Sequence, residues 1–257
     1  MVLITGDSNI GVVSSRRMMF PEGFAGHFWH SPLFGYVAIR VFNFSYFFNW
    51  ILPSVLYNNW IYSVFLFIAS AGMVVFLRKK VSYIAALVGT ITAFWVGTNF
   101  TILYAGHIGK FGVMAFTCLA LLSFDRAALT RSLAWRIIAG GSVGCMFTEQ
   151  QDFALFVMLF VGAYALFGWI SRHGISFKPL ILHFLPAAIM AIMISVWSLI
   201  VVYQANIGQT QGTMRQDERQ KWEFATQWSV PPDELIELIA PGYMGWRSDS
   251  VKEGPYW

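Results

Sequence analysis

Asp7 is the first residue of this chain whose type and setting suit chemistry. It lies in the turn-forming sequence Gly6-Asp7-Ser8-Asn9. A carboxylate there accepts a proton from an attacking hydroxyl if apolar surroundings raise its pKa. An ordinary Asx-turn is the alternative, because Asp and Asn commonly form turns. Asp7 is therefore a candidate general base.

A second candidate group is the short polar turn that contains His107 and Lys110. An imidazole and an ammonium three residues apart suit the binding of an anionic lipid phosphate. The turn is not a Walker loop, because the glycine spacing is absent and Phe111 stands where Ser or Thr is required. A polar loop with a snorkelling lysine is the alternative.

Glu149 and Asp152 form a third group, between two apolar runs. On a helical turn their carboxylates would face the same way and together hold a divalent metal or a sugar hydroxyl. Ionisable groups at membrane depth tend to be functional, and solvation of a short loop is the alternative. His27 and His30 supply only two ligands, so they indicate a metal site weakly.

Membrane helices have to carry these groups. The chain has 257 residues, of which 57% are hydrophobic and 12% charged, with a mean hydropathy of +0.58. Soluble domains carry about 25% charged residues, so a soluble globular enzyme is excluded. The basic residues form short clusters between apolar runs, which argues against nucleic-acid binding. Cys118 and Cys145 both lie in apolar runs, and we expect no disulfide.

The apolar runs predict six transmembrane helices, at about 60–77, 82–101, 111–124, 137–147, 153–170 and 180–203. The fourth run is too short to cross unaided. It either borrows residues 133–136 or enters as a broken helix that lines a polar cavity. Its three glycines, Gly140, Gly141 and Gly144, favour close helix packing. A lone histidine in the sixth run, His183, is predicted to form an interhelical hydrogen bond.

Charge orients this bundle. Six crossings place eight Lys and Arg residues on one side, within the segments 78–80, 125–136 and 171–178. The same arrangement places 12 of the 13 acidic residues on the other side. By the positive-inside rule the basic side is cytoplasmic, so both ends of the chain are extracytoplasmic.

Three segments follow from this topology. Residues 1–58 form an outer segment with an interfacial aromatic helix within 41–52, residues 59–203 form the bundle, and 204–257 form a second outer segment. In the second outer segment, Pro231-Pro232 and Pro241-Gly242 are typical of helix boundaries and predict a short helix between them, near 231–240. Export of the first segment requires a preceding hydrophobic signal, so we expect a helix upstream of Met1 and treat the chain as a fragment.

Several motifs, in order, resemble those of the YfhO-like bacterial membrane proteins: Gly6-Asp7-Ser8-Asn9, the aromatic segment, Trp95-Val96-Gly97-Thr98-Asn99-Phe100-Thr101, Tyr104-Ala105-Gly106-His107, Trp228-Ser229-Val230-Pro231-Pro232 and Ala240-Pro241-Gly242-Tyr243. Those proteins belong to the GT-C class of polytopic glycosyltransferases, which take sugar from a polyprenyl-phosphate donor on the outer side of the membrane. The resemblance implies an all-α polytopic protein of the bacterial inner membrane.

The resemblance also implies roles for individual residues. Asp7 matches the acidic residue of the first outer loop, which serves as catalytic base or orients the acceptor. His107 and Lys110 match basic residues that hold the donor phosphate, with Arg16 and Arg17 as further candidates. The implied partners are a lipid-linked sugar donor, membrane lipids and a cell-envelope acceptor, without nucleic acid. A divalent metal cofactor is left open.

We therefore predict a membrane glycosyltransferase that moves a sugar from a polyprenyl-phosphate-linked donor to an extracytoplasmic cell-envelope acceptor. A membrane transporter or flippase is an alternative if the glycine-rich run is a broken helix, although no internal repeat supports it. A non-catalytic membrane assembly subunit is a third reading. The sugar, the acceptor, the stereochemistry and the oligomeric state are left open.

Overall fold

The computed structural model describes residues 43–97, 99, 102, 103 and 106–203, the backbone of 27–29 and 36–38, and six single residues between 222 and 239. Asp7, Arg16, Arg17 and His30 lie outside the described residues, as does most of the helix predicted near 231–240. The chain separates into two units, Met1–Gly208 and Gln209–Trp257. All the helices below belong to the first unit.

The described part of the chain is helical, apart from one short hairpin. Four of its helices are long and apolar enough to cross a membrane: Ser54–Leu77, Ile108–Thr130, Gln151–His173 and Phe177–Ile200. The hairpin pairs His27–Trp29 with Tyr36–Ala38 in antiparallel register. In chain order the elements are β1 (His27–Trp29), β2 (Tyr36–Ala38), α1 (Ser45–Ile51), α2 (Ser54–Leu77), α3 (Tyr83–Phe94), α4 (Ile108–Thr130), α5 (Leu133–Glu149), α6 (Gln151–His173) and α7 (Phe177–Tyr203).

The first, third, fifth and sixth predicted spans are confirmed as helices, and each is longer than its apolar run. The expectation that the third span stops at Asp125 is wrong, because α4 continues through it to Thr130. The Asp125 carboxylate is neutralised by two cations from other parts of the chain, so its charge does not end the helix.

The second predicted span is shorter than its apolar run. Helix α3 ends at Phe94 after 12 residues, and Trp95 leaves helical geometry with φ −109° and ψ 30°. The side-chain amide of Asn99 donates a hydrogen bond to the Phe94 carbonyl at 2.7 Å. This bond satisfies a backbone carbonyl at the end of the helix. The prediction of one continuous helix over 82–101 is therefore wrong.

The fourth run forms one continuous helix, α5, with 17 residues. It includes residues 133–136, so the first of the two alternatives for this run is the one observed, and the helix is not broken. Gly109 and Gly112, near the beginning of α4, pack against Glu149 at the end of α5. Helices α4 and α5 are therefore antiparallel, and α5 returns to the level at which α4 begins.

Successive helices from α2 to α7 alternate in direction. Helices α2 and α4 are parallel, since Tyr62 contacts Phe111 with ring centroids 5.2 Å apart and Gly72 packs on Cys118 further along. Residues Lys80, Asp125 and Arg172 consequently meet at one end of the bundle, here called the basic end. This shared position agrees with the grouping that the charge pattern predicted.

A cluster around Asp125 ties the basic end together. Its Oδ1 atom lies 3.0 Å from Lys80 Nζ and 3.0 Å from Arg172 Nη2, and it accepts a hydrogen bond from the Tyr164 hydroxyl at 3.2 Å. Burial acts to lower the pKa of Lys80, but its interactions with Tyr164 and Asp125 outweigh burial and raise that pKa. Lys80 is therefore protonated when it binds Asp125.

Glycines bring α5 into close contact with α7, as predicted. A Cβ on Gly140 would overlap the Ala187 carbonyl oxygen, and a Cβ on Gly144 would lie 2.7 Å from Ile194 Cβ. Both positions therefore accept only glycine without a shift of one helix. This contact holds α5 closely against α7.

Pro186 lies inside α7 and removes a backbone donor there. In a regular helix, the N–H of residue 186 would bond to the Leu182 carbonyl. Arg136 of α5 replaces that donor, with Nη1 3.2 Å from the Leu182 oxygen. Its Nη2 donates to the Arg131 carbonyl at 2.8 Å. A side chain of one helix thus repairs a gap in another.

Two smaller predictions for the bundle have separate outcomes. Cys118 and Cys145 are both free thiols. His183 does not form the predicted hydrogen bond through Nδ1, which is buried without a partner in the described part of the chain. Its ring instead stacks on Trp169 of α6, with centroids 4.0 Å apart. Contact between the helices therefore occurs by ring stacking.

Replacement of Gly140 by alanine should destabilise the bundle. We expect Gly140→Ala to cost about 1–3 kcal/mol, the usual penalty for overpacking, because its Cβ meets backbone that cannot rotate away. Gly89→Ala in α3 is the matched control, since a Cβ there meets nothing within 4 Å. Thermal unfolding in detergent measures both variants. Equal melting temperatures would contradict close α5–α7 packing.

The bond from Arg136 to α7 can be isolated by a double-mutant cycle. Arg136→Met leaves the Leu182 carbonyl without a donor, and we expect a loss of about 1–3 kcal/mol. In a Pro186→Ala background the backbone donor is restored, so the same change should cost less. The hydrogen bond from Arg136 to the Arg131 carbonyl is lost in both backgrounds, so it cancels in the coupling energy. Unfolding in denaturant gives the four stabilities, and a zero coupling energy would disprove this role.

Candidate functional site

A polar pocket of about 190 Å³ lies at the end of the bundle opposite the basic end. Four parts of the chain meet there: the start of α1 with the residues before it, the beginning of α2, the turn before α4, and the break between α5 and α6. The lining residues are Asn43, Ser45, Tyr46, Tyr57, Gly106, His107, Ile108, Gly109, Glu149 and Gln150. Most are polar, which distinguishes this pocket from the apolar interior of the bundle.

The turn before α4 places His107 in the pocket. Gly106 has a φ of +88°, a conformation that glycine adopts readily and other residues rarely. The next residue, His107, directly precedes α4, and its half-buried side chain lines the pocket. Lys110 lies in the first turn of α4 and is also half-buried, but it is not among the lining residues. The predicted pair is thus split between the pocket and its surroundings.

Glu149 is the acidic residue that lines the pocket, and it is buried, with 6% of its surface exposed. Its Oε1 accepts a hydrogen bond from the Ser45 backbone N–H at 2.7 Å. Helix α1 has no capping side chain of its own, so the last residue of α5 supplies an acceptor for its first N–H. Oε2 is buried and has no hydrogen-bond partner among the described residues.

Two glycines of α4 make room for Glu149. A Cβ on Gly112 would lie 2.6 Å from Glu149 Cγ, and a Cβ on Gly109 would lie 2.7 Å from the Glu149 carbonyl oxygen. Any larger residue at either position would displace the acidic side chain or its backbone. Gly109 lies within the polar turn predicted from the sequence, whereas Gly112 was not predicted to contribute. Two glycines three residues apart near the start of a helix are the sequence pattern that could have predicted this close contact.

Asp152 does not join Glu149. Gln150 leaves helical geometry with φ −155° and ψ 105°, and α6 begins at Gln151. This break turns Asp152 away, so that it is exposed while Glu149 is buried. The expectation that the two carboxylates face the same way is wrong. In the described part of the chain, no group of three or more His, Cys, Asp or Glu residues could hold a metal ion.

The segment before α1 contributes groups that the sequence analysis did not single out. Ser45 is 1% exposed and gives its N–H to Glu149, and the Asn43 side-chain amide lies 3.5 Å from the Glu149 carbonyl. The sequence predicts for both only a place in the aromatic interfacial segment. A helix is present over Ser45–Ile51, within the segment predicted to lie at the membrane interface. Its polar face meets the bundle, whereas Trp50 and Ile51 are exposed.

The assembled side chains can bind a small, hydroxyl-rich ligand. An imidazole, a carboxyl group, amides and hydroxyls donate and accept hydrogen bonds, and the tyrosine rings offer apolar faces. Asp7, Arg16 and Arg17 lie outside the described residues, so their positions relative to the pocket are not part of this geometry.

Removal of the Glu149 carboxylate should loosen α1. In Glu149→Ala, the Ser45 N–H loses its acceptor, and we expect faster amide hydrogen exchange over residues 45–51. Asp152→Ala is the matched control, because it removes an exposed carboxylate nearby. Exchange followed by mass spectrometry measures both. Unchanged exchange in Glu149→Ala would show that this bond does not hold the helix.

Similarity to other proteins does not extend these assignments. Comparison with protein-family models, with curated proteins and with solved structures found no match to this chain. The resemblance to YfhO-like proteins therefore stays a prediction, and the site is defined by its own geometry.

Proposed function

We propose that this chain is a membrane glycosyltransferase that moves a sugar from a polyprenyl-phosphate donor to an extracytoplasmic cell-envelope acceptor. The polar pocket that contains His107 and Glu149 carries this proposal. Its position at one end of the bundle suits a reaction at the membrane boundary. There, the phosphate and sugar of a lipid-linked donor lie outside the hydrocarbon while its chain remains within it.

The orientation proposed for the bundle rests on charge. The reversals at the end opposite the pocket carry the eight basic residues counted above, which favours a cytoplasmic position for that end. The pocket then faces outward. The exposed apolar residues of α1, Phe47, Trp50 and Ile51, suit the boundary between headgroups and hydrocarbon. Such a helix would hold the wall of the pocket at the membrane surface.

The proposed reaction assigns one proton transfer and one bond exchange. An acceptor hydroxyl gives its proton to the Asp7 carboxylate as its oxygen bonds to the anomeric carbon. The bond from that carbon to the donor phosphate oxygen breaks, and its electron pair leaves with the polyprenyl phosphate. His107 and Lys110 stabilise the leaving anion, with Arg16 and Arg17 as further cationic groups.

Glu149 acts in this proposal as a positioning residue. It binds the start of α1 and forms part of the pocket wall, while Gly109 and Gly112 fix its place. A hydroxyl of the acceptor would be the natural partner for its unpaired Oε2 atom. Asp152 has no part in the pocket as the structure has it.

The transporter alternative loses the feature that motivated it. It depended on a broken helix around Gly140 to Gly144, but these residues lie within the continuous helix α5 and pack against α7. No described residue group favours it over the enzyme.

Transfer in proteoliposomes tests the proposed function. The probe is a radiolabelled polyprenyl-phosphate sugar with a soluble polyol acceptor, and the full chain is used. We expect Asp7→Asn to lower the rate 100-fold or more, within the range of about 10²–10⁴ for a lost general base. His107→Gln should also lower the rate. Lys79→Gln, an exposed change at the basic end, should leave it unchanged.

Folding of each variant is checked by its melting temperature. A folded Asp7→Asn variant with the normal transfer rate would remove Asp7 from the mechanism. Uptake of the sugar into the vesicles, with no glycosylated product, would instead favour a transporter.

A further inference from the structure

Positive charge at the basic end is only partly balanced. The one acidic residue among the described residues there, Asp125, is already bound by Lys80 and Arg172. Asp125 does not neutralise Arg131 and Arg136, which lie at the turn between α4 and α5. The hydrogen-bond partners of these two arginines show whether any other group balances their charge.

Arg136 donates only to the neutral carbonyls of Leu182 and Arg131, and its Nε is buried without a partner in the described region. The Arg131 guanidinium lies 3.0 Å from His173 Nδ1. His173 Nε2 lies 2.8 Å from the Ala128 carbonyl, which can only accept, so Nε2 carries the proton and Nδ1 is a neutral acceptor. Among the described residues, neither set of partners includes an anion.

An apolar groove of about 340 Å³ begins beside these cations, between α5 and α7. Ile137, Leu185, Pro186, Ile189 and Met193 line it. Ile137 directly follows Arg136, and Leu185 and Pro186 lie one helical turn beyond Leu182, the residue that Arg136 contacts. The groove therefore continues from Arg136 along the helices toward the middle of the bundle.

Lys178 adds a second cation at the head of the groove. It is exposed, and it lies four residues before Leu182 in α7. Residues at this spacing share one face of a helix, so Lys178 lies one turn above the groove on the face that lines it. Cationic groups at headgroup level with an apolar groove beneath match the two parts of an anionic lipid.

We propose that this groove binds an anionic phospholipid of the surrounding bilayer, with its phosphate at Lys178 and Arg136 and one acyl chain along Ile189 and Met193. The uncompensated charge selects an anionic headgroup over a zwitterionic one. The site lies at the end of the bundle opposite the pocket, so it is independent of the proposed glycosyl transfer.

Native mass spectrometry tests this site. The full chain, purified in detergent, is mixed with equal amounts of dioleoyl phosphatidylglycerol and dioleoyl phosphatidylcholine. We expect one phosphatidylglycerol to be retained preferentially. Lys178→Gln should weaken that retention about fivefold, which corresponds to about 1 kcal/mol for one surface charge. Lys79→Gln, an exposed lysine of the same end outside the groove, should leave retention unchanged.

A second pair of variants tests the groove without changing charge. Ile189→Trp fills it and should lower phosphatidylglycerol retention, whereas Leu159→Trp, on the exposed face of α6, should not. Melting temperatures confirm that each variant is folded. Equal retention of the two lipids, or an equal loss in Lys178→Gln and Lys79→Gln, would overturn the proposal. Displacement of phosphatidylglycerol by an equimolar polyprenyl phosphate would overturn the assignment to a phospholipid.

Discussion

The arrangement of the bundle depends on the interactions of the Asp125 carboxylate. It joins the loop after α2, the last turns of α4 and the end of α6 through two ion pairs and one hydrogen bond. A buried carboxylate without its cations is strongly unfavourable, so these three parts lie at the same height along the bundle. Because helices are stiff, fixing α2 and α4 at this end also fixes where each begins at the other end. The position of His107 at the far end follows from it.

Helix α5 connects the two ends of the molecule. Its glycines let it approach α7, while Arg136 at its beginning bonds to α7 and Glu149 at its end bonds to α1. A shift of this helix along its axis would disturb both bonds together. The pocket therefore depends on packing along the whole length of α5.

Apolar length and charge clusters predicted most of the helices, the residues that share the basic end, and the close packing of Gly140 and Gly144. They failed where a distant side chain decides local structure. Asn99 ends α3 early, two distant cations let α4 continue past Asp125, and an extended Gln150 separates Glu149 from Asp152. Such effects depend on contacts that no local pattern contains. The role of Asp7 still rests on resemblance alone.

The bond between Arg136 and the Leu182 carbonyl bears on how the protein is made. Leu182 is synthesised after α5, so the donor exists before the carbonyl that needs it. A proline-interrupted segment that enters the membrane alone exposes an unpaired carbonyl to lipid. With α5 already in place, α7 meets its missing donor as it enters. The order of the helices along the chain thus lets an earlier segment assist the insertion of a later one.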